Sequence, residues 1–327
     1  MDVQELDQFA RLAEINNSTV WSDMIGRYEI SFTDHYISLI QSKNHEILLD
    51  SEHCKVLLFK DLNCIVSIGG FQAHNDGKYL AEKRCLPLVT IPTQLANDSF
   101  GTNRYSITDD EQSASIETVF PVKTIFDIPY LQSNGIEKSL WGIGEFIGLY
   151  FSIIDYSMKH HLDFDGLLSW IVEQTHELNS LYENGCDDRK ILKRIAILLT
   201  IKCLVMKTNG NHEIGCGIDH SFARCFEKNT QLPHGKAVFL GSLLAIVLFP
   251  EWHNYGLSMS MLLKLGKMMG ITAKEIHYLQ SLDYHALIRL AIQVRPKRSH
   301  SLESITREQS YRIDRANEHI QRLVWED

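Results

Sequence analysis

"CIVSIGGFQAHNDGKYLAEKRCLPLVTIPT", residues 64–93, is the stretch whose reading decides the fold of the first part of the chain. "CIVSIGG" (64–70) and "LPLVTIPT" (86–93) are short runs rich in Ile, Leu and Val, set between Gly, Asn and Asp, as buried strands are. "NDGKYLAEKR" (75–84) lies between them and fits a helix. Strand, helix, strand predicts a parallel sheet with a right-handed crossover. Upstream, "HEILLD" (45–50) and "KVLLFK" (55–60) read as two more strands only about a turn apart. "IPTQLANDSFGTNRYSI" (91–107) reads as a long polar loop after a strand, the place where open α/β sheets bind ligands.

Beyond about residue 130 the texture changes. "IEKSLWGIGEFIGLYFSIIDYSMKH" (136–160) has a helical period and is apolar on most sides, so it should be buried. The helical pattern continues over 164–185, 188–210, 234–249, 255–270 and 306–327, with Gly and Asn at segment ends as C-caps. The expected division is therefore α/β over 1–128 and all-helical over 129–327. No internal repeat or low-complexity tract interrupts it.

Composition narrows the class. The chain has 327 residues, 44% hydrophobic and 22% charged, which is globular rather than disordered. Its net charge of −9 argues against nucleic acid as a partner, since phosphate binding needs a basic face. The N-terminal "MDVQELDQFARLAEINNS" is too acidic and polar for a signal peptide. The apolar run 237–249 is too short to span a bilayer. Seven scattered cysteines without a CxxC pair suggest reduced thiols and a cytoplasmic location.

Several residues invite a chemical reading. Glu145 sits inside "WGIGEFIGLYF", where a carboxylate is costly unless it is paired, ligates a metal or faces solvent. His220 and His234 bracket the segment "GCGIDHSFARCFEKNTQLPHGK" (215–236). A lone histidine is more often a packed or surface residue, but with Glu145 the two form a Glu/His/His set. Three protein ligands with an open position suit a catalytic divalent metal, which polarises an alcohol or carbonyl oxygen and lowers its pKa. "SIGG" before a helix is a plausible phosphate seat, or simply a tight turn. No GxGxxG stands in the usual position. Thr93, Asn97, Asp98 and Ser99 offer hydrogen-bonding groups on the polar loop. "KHHLDFD" (159–165) reads as a polar helix end, because adjacent histidines on a helix point apart. "RPKRSH" (295–300) is a basic patch, either a solvated turn or an anion contact.

Five segments stand in an order that is specific as a set. Gly69, Gly70 and Lys78 lie in "GGFQAHNDGK", Thr93 and Asp98 in "PTQLAND", and Gly142, Gly144, Glu145, Asp155 and Tyr156 on one helix. "HSFARCFE" follows from His220, and "HGK" from His234. Together they resemble the GGG-x3-D-x2-K, PTT-x-(S/N)-x-D, GxGD-x9-D-W, H-x-F-x-H-A-(I/L)-(D/E) and HGE motifs of the superfamily of iron-containing alcohol dehydrogenases and dehydroquinate synthases. The branch nearest in pattern is that of glycerol-1-phosphate and glycerol dehydrogenases. The resemblance runs from about residue 64 to 260. It implies a dehydroquinate synthase-like fold, with an N-terminal Rossmann-like nucleotide-binding domain, a C-terminal helical domain and a site in the cleft between them. The first domain is shortened here, since the strands at 45–50 and 55–60 leave no room for a helix between them.

By the same resemblance Glu145, His220 and His234 hold a divalent metal, zinc or iron. Gly69, Gly70, Lys78, Thr93, Gln94 and Ser99 meet NAD or NADP, and Asp98 contacts substrate hydroxyls. Lys236 and Arg224, beside ligand histidines, are placed to contact a substrate phosphate or carboxylate. The departures are Phe71 for the third glycine, Asn75 with Asp76 for the acid before the lysine, Lys236 for the acid after HG, and Arg224 where the synthases keep a catalytic histidine. Glu145 itself is the synthase choice, the dehydrogenases placing Asp there. The reading implied is a metal-dependent NAD(P)-linked oxidoreductase of a small polyol, hydroxyaldehyde or keto-phosphate, acting as a homodimer on a small-molecule substrate, with no nucleic acid and no membrane. The alternatives are a sugar-phosphate cyclase or lyase, and a degenerate paralogue that binds without turnover.

Overall fold

The computed structural model describes residues 29–33, 46–51, 54–59, 63–108, 113–295, 299–308, 310–323 and 325. The N-terminal segment read against a signal peptide and the centre of the 295–300 basic patch lie outside them. By internal contacts the chain forms two compact units, Met1–Ser139 with Asp187–Gly210, and Leu140–Cys186 with Asn211–Asp327. The α/β-then-helical order is the one expected from sequence texture. The contact division differs from a 128/129 boundary in grouping 129–139 and 187–210 with the α/β part.

The first unit is built on a six-stranded sheet in the order β1-β8-β5-β4-β3-β2. Its strands are β1 (Glu29–Thr33), β2 (Glu46–Ser51), β3 (Cys54–Phe59), β4 (Cys64–Gly69), β5 (Leu88–Pro92) and β8 (Lys123–Asp127). The helix α1 (Phe71–Arg84) links β4 to β5, which pair in parallel as the sequence predicts. β5–β8 and β8–β1 are parallel too. The parallel pairing read from the strand-helix-strand unit does not extend over the whole sheet, which is mixed: β2 and β3 pair antiparallel with each other, and β3 with β4. The cause is chain length, because a hairpin-sized link cannot make the crossover of a dozen or more residues that parallel pairing needs. Alternation along the strands buries both faces. Val56, Leu58, Ile65 and Leu88 pack with Ala73 and Ala81 of α1, while Leu57, Phe59, Val66, Ile68, Ile91 and Ile125 form the opposite cluster.

The 91–107 stretch is a loop only over 93–103. Residues Arg104–Thr108 form β6, paired antiparallel with β7 (Ser113–Glu117). Lys78 holds that junction. Its fully buried ammonium donates to Thr102 Oγ1 at 2.9 Å and to the Arg104 carbonyl at 2.8 Å. Burial lowers its pKa from 10.5 to about 8, against the opposing pull of Asp98 and Cys203. The unfolded chain therefore holds this proton more tightly than the fold does. Stability should rise with pH between about 8 and 10.5, by on the order of 3 kcal/mol from this group. Urea midpoints across that range should climb in the wild type and lose that slope in Lys78→Met. Equal slopes in the two proteins would show that Lys78 does not titrate there.

After β8 come α2 (Ile128–Ser133), capped by the Asp127 carboxylate on the Tyr130 amide, and α3 (Ile136–Leu140). The first unit is completed by α6 (Asp188–Thr208), which packs on α2. Along this apolar helix Lys202 is fully buried, with its Nζ 3.0 Å from Asp98 Oδ2. Its neighbour Cys203 donates from Sγ to the Asp98 carbonyl at 3.4 Å.

The second unit is helical: α4 (Gly142–His160), α5 (Asp165–Glu183), α7 (Ile218–Asn229), α8 (His234–Leu248), α9 (Met259–Met268), α10 (Ala273–Gln280), α11 (Tyr284–Val294), α12 (His300–Glu308) and α13 (Ser310–Gln321). The expected single helix over 136–160 breaks at Trp141, whose carbonyl accepts the Gly144 amide at 3.0 Å. The expected tail helix lies over the end of α12 and over α13, both helical as described. α4 ends at His160 with His161 left-handed, and Lys159 pairs with Glu213 at 2.7 Å, so "KHHLDFD" is the polar helix end it reads as. No helix among the described residues is long and apolar enough to cross a membrane.

Candidate active site

Four glycines of the second unit bring α4, α7 and α8 together. A Cβ on Gly144 would stand 2.0 Å from the Gly235 carbonyl oxygen, and one on Gly235 would stand 2.0 Å from the Trp141 carbonyl oxygen. The first turns of α4 and α8 thus meet backbone to backbone, a distance only glycine permits. Gly148, one turn further along α4, leaves room for the Asp219 carboxylate, which a Cβ there would approach to 2.4 Å. Gly241 of α8 does the same for the Asp219 carbonyl, at 2.3 Å.

This packing places three side chains in one spot. Glu145, in the first turn of α4, is 1% exposed. Its Oε1 is 2.9 Å from His234 Nε2 and its Oε2 is 3.4 Å from His220 Nε2. One potential ligand atom from each residue lies within 4.8 Å of the others. The outer nitrogens of both rings are also taken. His220 Nδ1 is 2.5 Å from Asp219 Oδ2, and His234 Nδ1 is 2.5 Å from Glu227 Oε1. An ionised carboxylate can only accept, so each Nδ1 is the donor, and in a neutral ring Nε2 keeps its lone pair. Two lone pairs and a carboxylate then converge, with no donor among them. That donor set fits a divalent cation, with each imidazole oriented by its own carboxylate.

The same charges also draw protons onto the two rings, protons that a bound cation would displace. Burial disfavours charge on His234, but Glu145 and Glu227 outweigh it and raise the pKa from 6.5 to about 9. For His220 burial is again outweighed, by Cys216 and Asp219, and the pKa lies well above 6.5. The site attracts positive charge where the three donors meet.

The first unit groups another set of the expected residues. Gly69 ends β4 with φ +150°, a conformation that favours glycine, and is paired with Pro92 at the end of β5. The Thr93 amide donates to the Gly69 carbonyl at 3.0 Å. Gly70 starts α1 beneath Gln94, whose Nε2 would lie 2.8 Å from an added Cβ. Gly69, Gly70, Thr93 and Gln94 therefore share the carboxyl end of two parallel strands. Asp98 and Ser99 lie on the following loop, with Ser99 N donating to Asn97 Oδ1.

Three expected contacts are already engaged elsewhere. Lys78 is turned into the unit, as described above. Lys236 donates to the Gly270 carbonyl at 2.5 Å and pairs with Glu275 at 3.1 Å. Arg224, part-exposed, pairs with Glu227 at 3.0 Å. Sequence reading missed Asp219, Glu227 and Lys202. Asp219 and Glu227 were visible beside and two turns after His220. Lys202 was a lone charge inside "ILLTIKCLVM", the same signal that singled out Glu145.

Known proteins resemble this chain in sequence and in fold. Residues 4–133 match a family model described as iron-containing alcohol dehydrogenase. The glycerol-1-phosphate dehydrogenase [NAD(P)+] of Hyperthermus butylicus is 22% identical over 308 residues, covering 90% of this chain and 86% of that protein. The enzyme of that name from Methanosarcina acetivorans is 19% identical, and the match spans about half of each, 56% of this chain and 54% of that protein. The structure of a probable glycerol dehydrogenase from Sinorhizobium meliloti 1021 superposes with a TM-score of 0.57 at 15% identity, covering 78% of this chain and 76% of the other. The chain is thus similar to iron-containing alcohol dehydrogenases over residues 4–133 and to a glycerol-1-phosphate dehydrogenase over most of its length, and it shares its fold with a probable glycerol dehydrogenase.

Proposed function

We propose that the chain is a metal-dependent, NAD(P)-linked oxidoreductase of a small polyol, hydroxyaldehyde or keto-phosphate. The observation that carries this is the convergence of Glu145, His220 and His234 with a carboxylate behind each imidazole. The names of the relatives support the substrate class. A divalent metal in that set would polarise a substrate oxygen, and a nicotinamide would exchange the hydride. Gly69, Gly70, Thr93 and Gln94 are assigned to the nucleotide, where two strand ends offer backbone groups without obstructing side chains. Asp98 is assigned to substrate hydroxyls, its Oδ2 anchored by Lys202. Glu145, which the synthases share, favours a cyclase as the second reading; Arg224 and the lysine-free "SFGTNRY" (99–105) oppose it. A cytoplasmic location belongs to the same reading, and six described cysteines that are all free thiols support it. A homodimer is carried over from the resemblance alone.

The test is NAD(P)H formation by zinc- or iron-loaded protein with glycerol and glycerol phosphates, and the reverse reaction with dihydroxyacetone phosphate. A reaction that needs NAD but gives no net redox change would turn the reading to the cyclase. Asp98→Asn should raise KM about 10- to 100-fold, the worth of a hydrogen bond to a charged group, with kcat little changed. An unchanged KM would remove Asp98 from substrate binding.

A further inference from the structure

We propose that Asp219 and Ser152 are positioning residues that aim His220 at the metal; the inference rests on the metal reading of Glu145, His220 and His234. The three groups form one line of hydrogen bonds. The Gly217 amide donates to Ser152 Oγ at 2.7 Å, and Ser152 Oγ donates to Asp219 Oδ1 at 2.8 Å. Asp219 Oδ2 receives the His220 Nδ1 proton at 2.5 Å. Each oxygen of the carboxylate is thus engaged by a different partner, and rotation about the Cβ–Cγ bond would break both contacts.

An acidic residue in the first turn of a helix has an ordinary role, to offset the helix dipole. That role needs only an exposed carboxylate. Asp219 is instead fully buried, at a desolvation cost that an unpartnered carboxylate could not bear. Room for it is made from two sides, by Gly148 for its carboxylate and by Gly241 for its backbone. Gly144, Gly148 and Ser152 recur every four residues and so share one face of α4. This face carries the void and the hydroxyl that Asp219 requires, one turn from Glu145 itself.

The two imidazoles are therefore held unequally. The carboxylate behind His234 belongs to Glu227, whose side chain is 21% exposed and whose second oxygen is paired with the part-exposed Arg224. Water can compete at that carboxylate but not at Asp219. His220 is the rigid donor of the set, and its direction is fixed by α4 through Ser152 and Asp219. A metal-ligand histidine oriented by a buried carboxylate is a more basic and better directed ligand, and loss of such a partner typically lowers metal affinity about 10- to 100-fold.

The test uses the full chain stripped by a chelator and titrated with cobalt(II), following affinity and the visible d–d spectrum, with melting temperature measured alongside. Asp219→Asn should bind cobalt about 10- to 100-fold more weakly and shift the d–d bands. Ser152→Ala, which leaves the carboxylate in place but frees it to turn, should show a smaller loss and a band shift in the same direction. The double variant should be no weaker than Asp219→Asn alone, since both act through one contact. Should Asp219→Asn fail to fold, Ser152→Ala decides alone. Wild-type affinity and an unshifted spectrum in the folded variants would overturn the inference and leave the metal reading standing. A wild-type protein that takes up no cobalt would overturn both.

Discussion

Glu145→Gln should abolish turnover and weaken cobalt or zinc binding by more than about 100-fold, beyond the range seen when only a ligand's supporting partner is lost. The side chain keeps its size, so packing in the first turn of α4 is preserved. What is lost is the charge at the point where His220 and His234 converge, 3.4 and 2.9 Å away. The replacing amide also presents N–H groups to that point, where a cation requires lone pairs. His234→Ala should act in the same direction and more mildly on stability, because its side chain is 28% exposed while Glu145 is 1% exposed. NAD(P)H formation measures the first effect, and isothermal titration of zinc into stripped protein the second. Metal affinity equal to wild type in Glu145→Gln would remove the carboxylate from the ligand set.

Gly144→Ala should be the most damaging single-methyl change in the second unit, costing about 3 kcal/mol or more. The added carbon would sit 2.0 Å from the Gly235 carbonyl oxygen, and the backbone there cannot retreat, because Gly235 is itself pressed against the Trp141 carbonyl. The first turns of α4 and α8 must separate, which carries Glu145 away from His234. Stability and metal binding should therefore fall together. Gly185→Ala is the control. It lies at φ +61° with open space around its would-be Cβ, so only the backbone strain of roughly 1 kcal/mol applies and the metal should bind as in wild type. Denaturant unfolding and zinc titration on the two variants compare them directly. A Gly144→Ala protein within about 1 kcal/mol of wild type would mean that the close approach is not what sets the site.

The same glycines show where sequence reading stops. Ile, Leu and Val runs report burial along a strand, so β2 to β5 were legible without a structure. The 3.6-residue period likewise marked α4, α5, α6 and α8. Other helices carried readable caps that went unused, such as Thr272 with Glu275 before α10 and Asp283 before α11. Glu145 stood out as a titratable group set against apolar neighbours, because a buried charge is costly enough to demand a reason, while His220 and His234 drew notice only as a set with it and through the motif resemblance.

Their convergence was not in that pattern. It depends on distances between residues far apart in the chain, and a local period carries no information about those. That Gly144 and Gly235 mark a contact of two backbones, and that Asp219 turns inward from a helix start, are facts of packing. So are the amines of Lys78 and Lys236, which the fold engages with its own acceptors. The sequence by itself determined which segments are buried and which side chains are too polar for their surroundings. The tertiary structure decided which of those side chains meet, because only chain closure brings α4, α7 and α8 within bonding distance of one another.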